Sequence, residues 1–379
     1  MTFIQSLIFI LFSLTLPALW AVPKPIPNAP EIDASSYILL EFNSGKILAE
    51  KNPDKKVEPA SITKLMTAYL VDKALESGDI HLTDEVTISE KAWRMKGSKM
   101  FVEVGKQVSV EELIKGMIIQ SGNDATVALA EHVAGSENAF TEYMNHQAAL
   151  LGMKNTSFRN STGWPDNEHY STARDIALLS QAIIRDYPDS YRLYREKEYT
   201  YNEIRQFNRN RLLWSDESVD GLKTGHTEAA GYCLASSALK DGMRLIAVVL
   251  GTDSDKARTR HSQTLLNYGF RFFESNRLYQ ANETLKTARV WYGEQEQVTL
   301  GVAKDIFVTI ARGRYKDLDA VVEIDPKISA PVAMGQELGR LVVKLDDEII
   351  VAEPLVATQA VNDGGIVQRV IDSVKLLFE

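Results

Sequence analysis

Three short motifs recur in fixed order along the chain: Ser61-Ile-Thr-Lys64, Ser121-Gly-Asn123 and Lys223-Thr-Gly225. A serine hydroxyl is a weak nucleophile until something removes its proton. Residues three apart on a helix share a face, so Lys64 lies one turn from Ser61 and can serve as its base if the amine is neutral. Burial and a nearby second cation both lower a lysine pKa, and Lys223 is the expected cation. First-turn N–H groups favour the negative charge that develops on an attacked carbonyl oxygen. The parts are those of a serine acyl-transfer enzyme that uses no histidine.

Neither short pattern is specific alone. Ser237-Ala-Leu-Lys240 repeats the first and Ser136-Glu-Asn138 the second, and both read as structural. The chosen set stands apart through order and context. Ser61 opens a helical pattern running to about Glu76, and Ser121-Gly-Asn123 falls in a loop between two helices. Lys-Thr-Gly occurs once, just before a hairpin.

The elements that must position these groups are legible in outline. Tyr37 to Phe42 and Lys46 to Ala49 flank Asn43-Ser-Gly45 as a hairpin. Ser109-Val-Glu-Glu112 is a capping box before a helix expected over Leu113 to Gln120, and another helix is expected over Ala125 to Val133. Tyr232 to Leu239 and Arg244 to Leu250 flank the turn Asp241-Gly242. The pattern changes near Thr284, and short alternating runs then suggest a β-rich sandwich domain over 285–361. In 364–379, Ile366, Val367, Val370, Ile371, Val374, Leu377 and Phe378 share one helical face, with Arg369, Asp372, Ser373 and Lys375 opposite. The fold class is α+β: an antiparallel sheet flanked by helices over 33–280, then an all-β domain and an amphipathic helix.

Composition bounds the rest. The 379 residues are 45% hydrophobic and 25% charged, as in a globular protein, and the net charge of -9 argues against nucleic-acid binding. Met1 to Ala21 is apolar and uncharged and reads as a secretory signal, although the usual basic start is missing; a proline-rich linker, 22–32, follows. Cys233 is the only cysteine and is expected in the core. The six histidines lack metal-ligand spacing, so neither a metal nor a cofactor is expected.

The motif triplet resembles that of the penicillin-binding and serine β-lactamase superfamily. Pro59-Ala-Ser-Ile-Thr-Lys64, Gln120-Ser-Gly-Asn-Asp124, Ser161-Thr-Gly163, Ser171-Thr-Ala-Arg174 and Asp220-Gly-Leu-Lys-Thr-Gly-His226 resemble the low-molecular-mass D-alanyl-D-alanine carboxypeptidases. The resemblance spans essentially the whole chain and implies a β-lactamase/transpeptidase-like fold. By it, Ser61 attacks the carbonyl between two D-alanines ending a peptidoglycan stem peptide, Lys64 accepts its proton, and Ser121 relays a proton to the departing D-alanine. Asn123 bonds the substrate backbone. The N–H groups of Ser61 and His226 form the oxyanion hole, and Lys223 and Thr224, with Gly225 beside them, hold the terminal carboxylate. Arg258 is expected at a carboxylate-binding position and Arg209 at the rim. β-Lactams are the expected inhibitors. The location implied is periplasmic, with the tail lying on the outer face of the inner membrane.

Rival readings each turn on one feature. A class A β-lactamase needs a water-activating Glu; Glu198-Tyr-Thr-Tyr-Asn202 matches the pattern but lies in a strand-like run. A D,D-endopeptidase differs only in its leaving group. A non-catalytic wall-binding protein fits poorly with intact Ser61, Lys64, Ser121 and Lys223.

Overall fold

The structure, a computed structural model, describes residues 26–378. The expected leader, the start of the linker and Glu379 lie outside the described residues.

A five-stranded antiparallel sheet forms the centre, in the order Ile47–Lys51, Ser36–Glu41, Met243–Thr252, Gly231–Lys240, Val219–Thr227. Its inner strands bury both faces, which is why they read as unbroken apolar runs. Ile38, Leu40, Ile246, Val248 and Leu250 pack on one side with helices Lys64–Ser77, Val110–Ile118, Asn123–Ala134, Glu137–Leu150 and Ala173–Asp186. Tyr37, Leu39, Leu245, Ala247 and Val249 pack on the other side, against Leu265, Leu266 and Tyr268 of helix Asp255–Phe272. Both expected hairpins form. At Asp241 and Gly242, φ is 51° and 80°, the left-handed pair that a two-residue turn between twisted strands requires.

Two helix expectations shift. The helix expected over Leu113 to Gln120 runs over Val110–Ile118, because the Glu112 N–H donates to Ser109 Oγ at 3.3 Å and the helix starts directly after that cap. The pattern opening at Ala60 is first a 3-10 turn, Ala60–Thr63, and becomes α-helical only at Lys64.

Strand Phe273–Tyr279 follows directly on helix Asp255–Phe272 and pairs with Ile306–Ala311. A six-stranded sheet follows, ordered Leu318–Ile324, Glu337–Leu345, Glu348–Ala357, Gln297–Gly301, Lys286–Trp291, Ile328–Ser329, with its own apolar cores. Glu41 joins the two parts. It is fully buried, and its Oε2 accepts from the Ser44 N–H at 2.7 Å and from Thr309 Oγ1 at 3.2 Å. Lys46 Nζ donates to the Thr309 carbonyl at 3.0 Å.

The tail helix, Gly365–Lys375, docks by its polar face. Asp372 is buried and accepts from the Tyr292 N–H at 2.7 Å, and Lys375 pairs with Glu296 at 3.2 Å. The seven apolar residues predicted to share a face are all exposed, Ile366 at 83% and Phe378 at 87%. Among the described residues no helix is long and apolar enough to cross a membrane.

Candidate active site

Ser61 sits half-buried in the 3-10 turn, whose first residue, Ala60, has φ 48°. A non-glycine residue holds such a backbone only where its surroundings fix it. Two glycines let main chain press against this turn. A Cβ on Gly163 (φ 82°) would meet Ala60 O at 1.8 Å, and one on Gly225 would meet Pro59 O at 2.8 Å. The glycines of Ser161-Thr-Gly163 and Lys223-Thr-Gly225 are thus explained by close approach.

Lys64 is 1% exposed, and its Nζ lies 3.0 Å from Ser61 Oγ, 2.7 Å from Asn123 Oδ1 and 2.7 Å from the Thr162 carbonyl oxygen. Asn123 Nδ2 donates to the Lys96 carbonyl at 2.7 Å, which fixes the amide so that its oxygen faces Lys64. Two of the three neighbours of Nζ are therefore acceptors only. A neutral amine has two N–H groups to give them, and its lone pair is left for the Ser61 O–H. Burial, followed by the charge of Arg209, pushes Lys64 down to about 7, against the opposing carboxylates of Asp124 and Glu137. The charge that lowers Lys64 is that of Arg209; Lys223, which the sequence suggested, is coupled to Lys64 as the group that gives way. Lys223 is buried as well and is held far below its ordinary value, by burial first and then by Lys64, Arg209 and Arg258.

Ser121 has φ 66°, is 2% exposed, and its Oγ has no hydrogen-bond partner among the described residues. Asp124 fixes the facing segment: its carboxylate accepts from the N–H groups of Met100 at 2.8 Å and Phe101 at 2.9 Å. An open cleft of about 1420 Å³ is lined by Ser61, Ser121, Asn123, Thr224, Gly225, His226, Arg209 and Arg258. Every sequence-predicted site residue thus lines this cleft except Lys64, which reaches it through Ser61, and Lys223, which is buried within the strand Val219–Thr227.

Arg258 is not the solvated helix charge that Arg260 is. It is 6% exposed and donates to the Gly225 carbonyl at 3.0 Å and to Asp255 at 2.5 Å. Arg209 stands at the rim and makes no hydrogen bond or ion pair among the described residues. The His226 ring leans on Tyr232 with centroids 4.0 Å apart.

Glu198 pairs with Arg205 on the strand Glu198–Tyr201 and does not line the cleft. Asp255 is the only carboxylate lining it among the described residues, and Arg258 and Arg211 engage it. Ser237 accepts from Arg244 within a strand, and Ser136 caps a helix, so both repeated patterns are structural.

Sequence reasoning missed the roles of Thr162 and Glu137. Glu137 accepts from the Ser161 N–H at 3.0 Å and pairs with Lys91 at 2.8 Å, so the Ser161–Gly163 segment is held from behind. Burial pushes Glu137 up, but Lys91 and Ser161 hold it below the ordinary carboxylate value. Thr162 works through a backbone oxygen, which leaves no mark on residue type.

A buried amine of lowered pKa 3.0 Å from a serine hydroxyl is the arrangement a serine–lysine acyl-transfer enzyme would use. Residues 24–254 match the D-alanyl-D-alanine carboxypeptidase family model, and residues 273–363 match the C-terminal domain of penicillin-binding protein 5. The chain belongs to the D-alanyl-D-alanine carboxypeptidase family. It is 46% identical to D-alanyl-D-alanine carboxypeptidase DacA of Escherichia coli K12, over 93% of this chain and 90% of that protein. Penicillin-binding protein 5 from Haemophilus influenzae superposes with a TM-score of 0.86 at 45% identity, covering 89% of this chain and 100% of that one. Penicillin-binding protein D2 from Listeria monocytogenes, solved in its ampicillin-bound form, gives 0.59 at 30% identity over 64% of this chain and 99% of its own.

Proposed function

We propose that this protein removes the terminal D-alanine from peptidoglycan stem pentapeptides through an acyl-enzyme on Ser61. The observation that carries the reading is the environment of Lys64 Nζ, with two obligate acceptors and one hydroxyl. Ser61 Oγ attacks the carbonyl carbon of the penultimate D-alanine, and the hydroxyl proton passes to the Lys64 lone pair. The N–H groups of Ser61 and His226 receive the oxyanion. Collapse breaks the C–N bond, and the departing nitrogen takes its proton by way of Ser121, with Lys223 behind it. Asn123 holds the peptide backbone. The terminal carboxylate is held by Thr224 and Gly225, with the buried Lys223 and with Arg258 and Arg209 as nearby cations, and its charge favours the protonated form of Lys223. Water then releases the shortened peptide. A β-lactam enters the same way and acylates Ser61.

The protein is read as periplasmic and attached to the outer face of the inner membrane through Ile366 to Phe378. What supports this is the helix docked by Asp372 with its apolar side outward.

The test is mass spectrometry of a synthetic stem pentapeptide incubated with the protein. Loss of one alanine, abolished in Ser61→Ala, is expected. No loss with the native protein, or labelled penicillin carried on another residue, refutes the reading.

A further inference from the structure

His169 belongs to no motif of the reaction, yet it is 2% exposed and touches the nucleophile's own turn. Its Nδ1 accepts from the Arg159 backbone N–H at 3.3 Å. That contact assigns the ring proton to Nε2, which lies 2.9 Å from Thr63 Oγ1 and donates to it. Thr63 closes the 3-10 turn that starts at Ala60, and it precedes Lys64. The turn is therefore held at three points. Gly163 and Gly225 bring main chain against Pro59 and Ala60 at its start. His169 holds its end by a directed hydrogen bond.

From this geometry we infer that His169 is a positioning residue for acylation, fixing through Thr63 the separation of Ser61 Oγ and Lys64 Nζ. The bond is built to stay constant. Burial holds the imidazole down to about 4, with Asp166 pulling up and Lys64 and Arg159 pushing down, so the ring remains a neutral donor at any working pH above that. The Phe158 ring meets it edge-on, with centroids 5.7 Å apart, and fixes its plane. A threonine hydroxyl without this donor loses the directed bond at the end of the strained Ala60 turn, and small displacements of reacting groups are costly in rate.

The inference rests on acylation of Ser61 as read above. Its test is a rapid-mixing measurement with a fluorescent penicillin, which separates non-covalent affinity from the acylation rate constant. Four variants are compared with the native protein: Thr63→Val, His169→Phe, His169→Gln and the double variant Thr63→Val/His169→Phe. Thr63→Val and His169→Phe should each slow acylation about tenfold with affinity unchanged, and the double variant should be no slower than the slower single. His169→Gln, which keeps an N–H donor, should recover most of the rate. A folded Thr63→Val that acylates at the native rate overturns the inference, as does a double variant in which the two effects multiply. If His169→Phe does not fold, Thr63→Val and His169→Gln still decide. Failure of the native protein to acylate at all refutes the functional reading instead.

Discussion

If neutral Lys64 arms Ser61, the acylation rate must follow the amine's titration. With a Lys64 pKa of about 7, the neutral fraction is about 90% at pH 8 and about 1% at pH 5. The rate constant for acylation by a fluorescent penicillin, whose carboxylate stays ionised across that range, should fall about ninetyfold between those pH values, by tenfold per unit at the acid end. The sign follows from the chemistry, since protonation removes the lone pair that receives the hydroxyl proton. Arg209→Gln removes the charge that helps to depress Lys64. The inflection should then move to higher pH, so that the variant is slower at pH 7 beyond any change in its plateau. Stability should show the same titration. The folded amine is depressed and the unfolded one is not, so the unfolded chain binds the extra proton between about 7 and 10.5, and stability rises with pH across that window. The span of the shift corresponds to about 5 kcal/mol. A rate that is flat from pH 8 to 5 refutes the assignment of Lys64 as base, and an inflection unmoved in Arg209→Gln refutes the part given to Arg209 in lowering it.

Three further outcomes follow from packing and charge. Gly163→Ala places a methyl on Ala60 O and demands a left-handed alanine; it should lose about 2–4 kcal/mol in chemical unfolding and acylate at least a hundredfold more slowly. Arg258→Ala strips the Gly225 and Cys233 carbonyls of a donor and leaves Asp255 to Arg211 alone, which should cost about 2–3 kcal/mol by the same assay. A chain ending at Gly365 should no longer sediment with anionic lipid vesicles. The seven exposed side chains it loses are worth on the order of 10 kcal/mol gross, at about 1.5 kcal/mol each. Continued sedimentation would show that the helix is not the anchor.

The three motifs were legible because each is local. Ser61 and Lys64 are one turn apart, and Ser121 and Asn123 straddle a helix start, so spacing alone brings each pair together. The hairpin at Asp241-Gly242 was legible because its two residues can adopt a left-handed backbone that most others resist. What escaped depends on segments far apart in the chain. Thr162 reaches Lys64 across 98 positions through a main-chain oxygen, and His169 reaches Thr63 across 106. Burial, the main source of the Lys64 shift, was foreseen; the second cation was not, because only the fold sets Arg209 against Lys64. Arg258 was set apart from Arg260 only by resemblance; the packed face of their helix, which buries Arg258 and exposes Arg260, is the physical difference between them. Tail amphipathicity was plain, but not that a buried Asp372 would turn the greasy side outward.

The wall of the cleft nearest Ser61 is made by the backbones of Gly163 and Gly225, pressed against Ala60 and Pro59. A surface of this kind offers no side chain to exchange. Selection for a new substrate or against a drug must therefore act on side chains elsewhere in the lining, where Phe101, Trp164, Phe207 and Trp214 are exposed. An inhibitor that draws its grip from the inner wall leaves the protein few single-step escapes, and one that leans on those rings leaves it many.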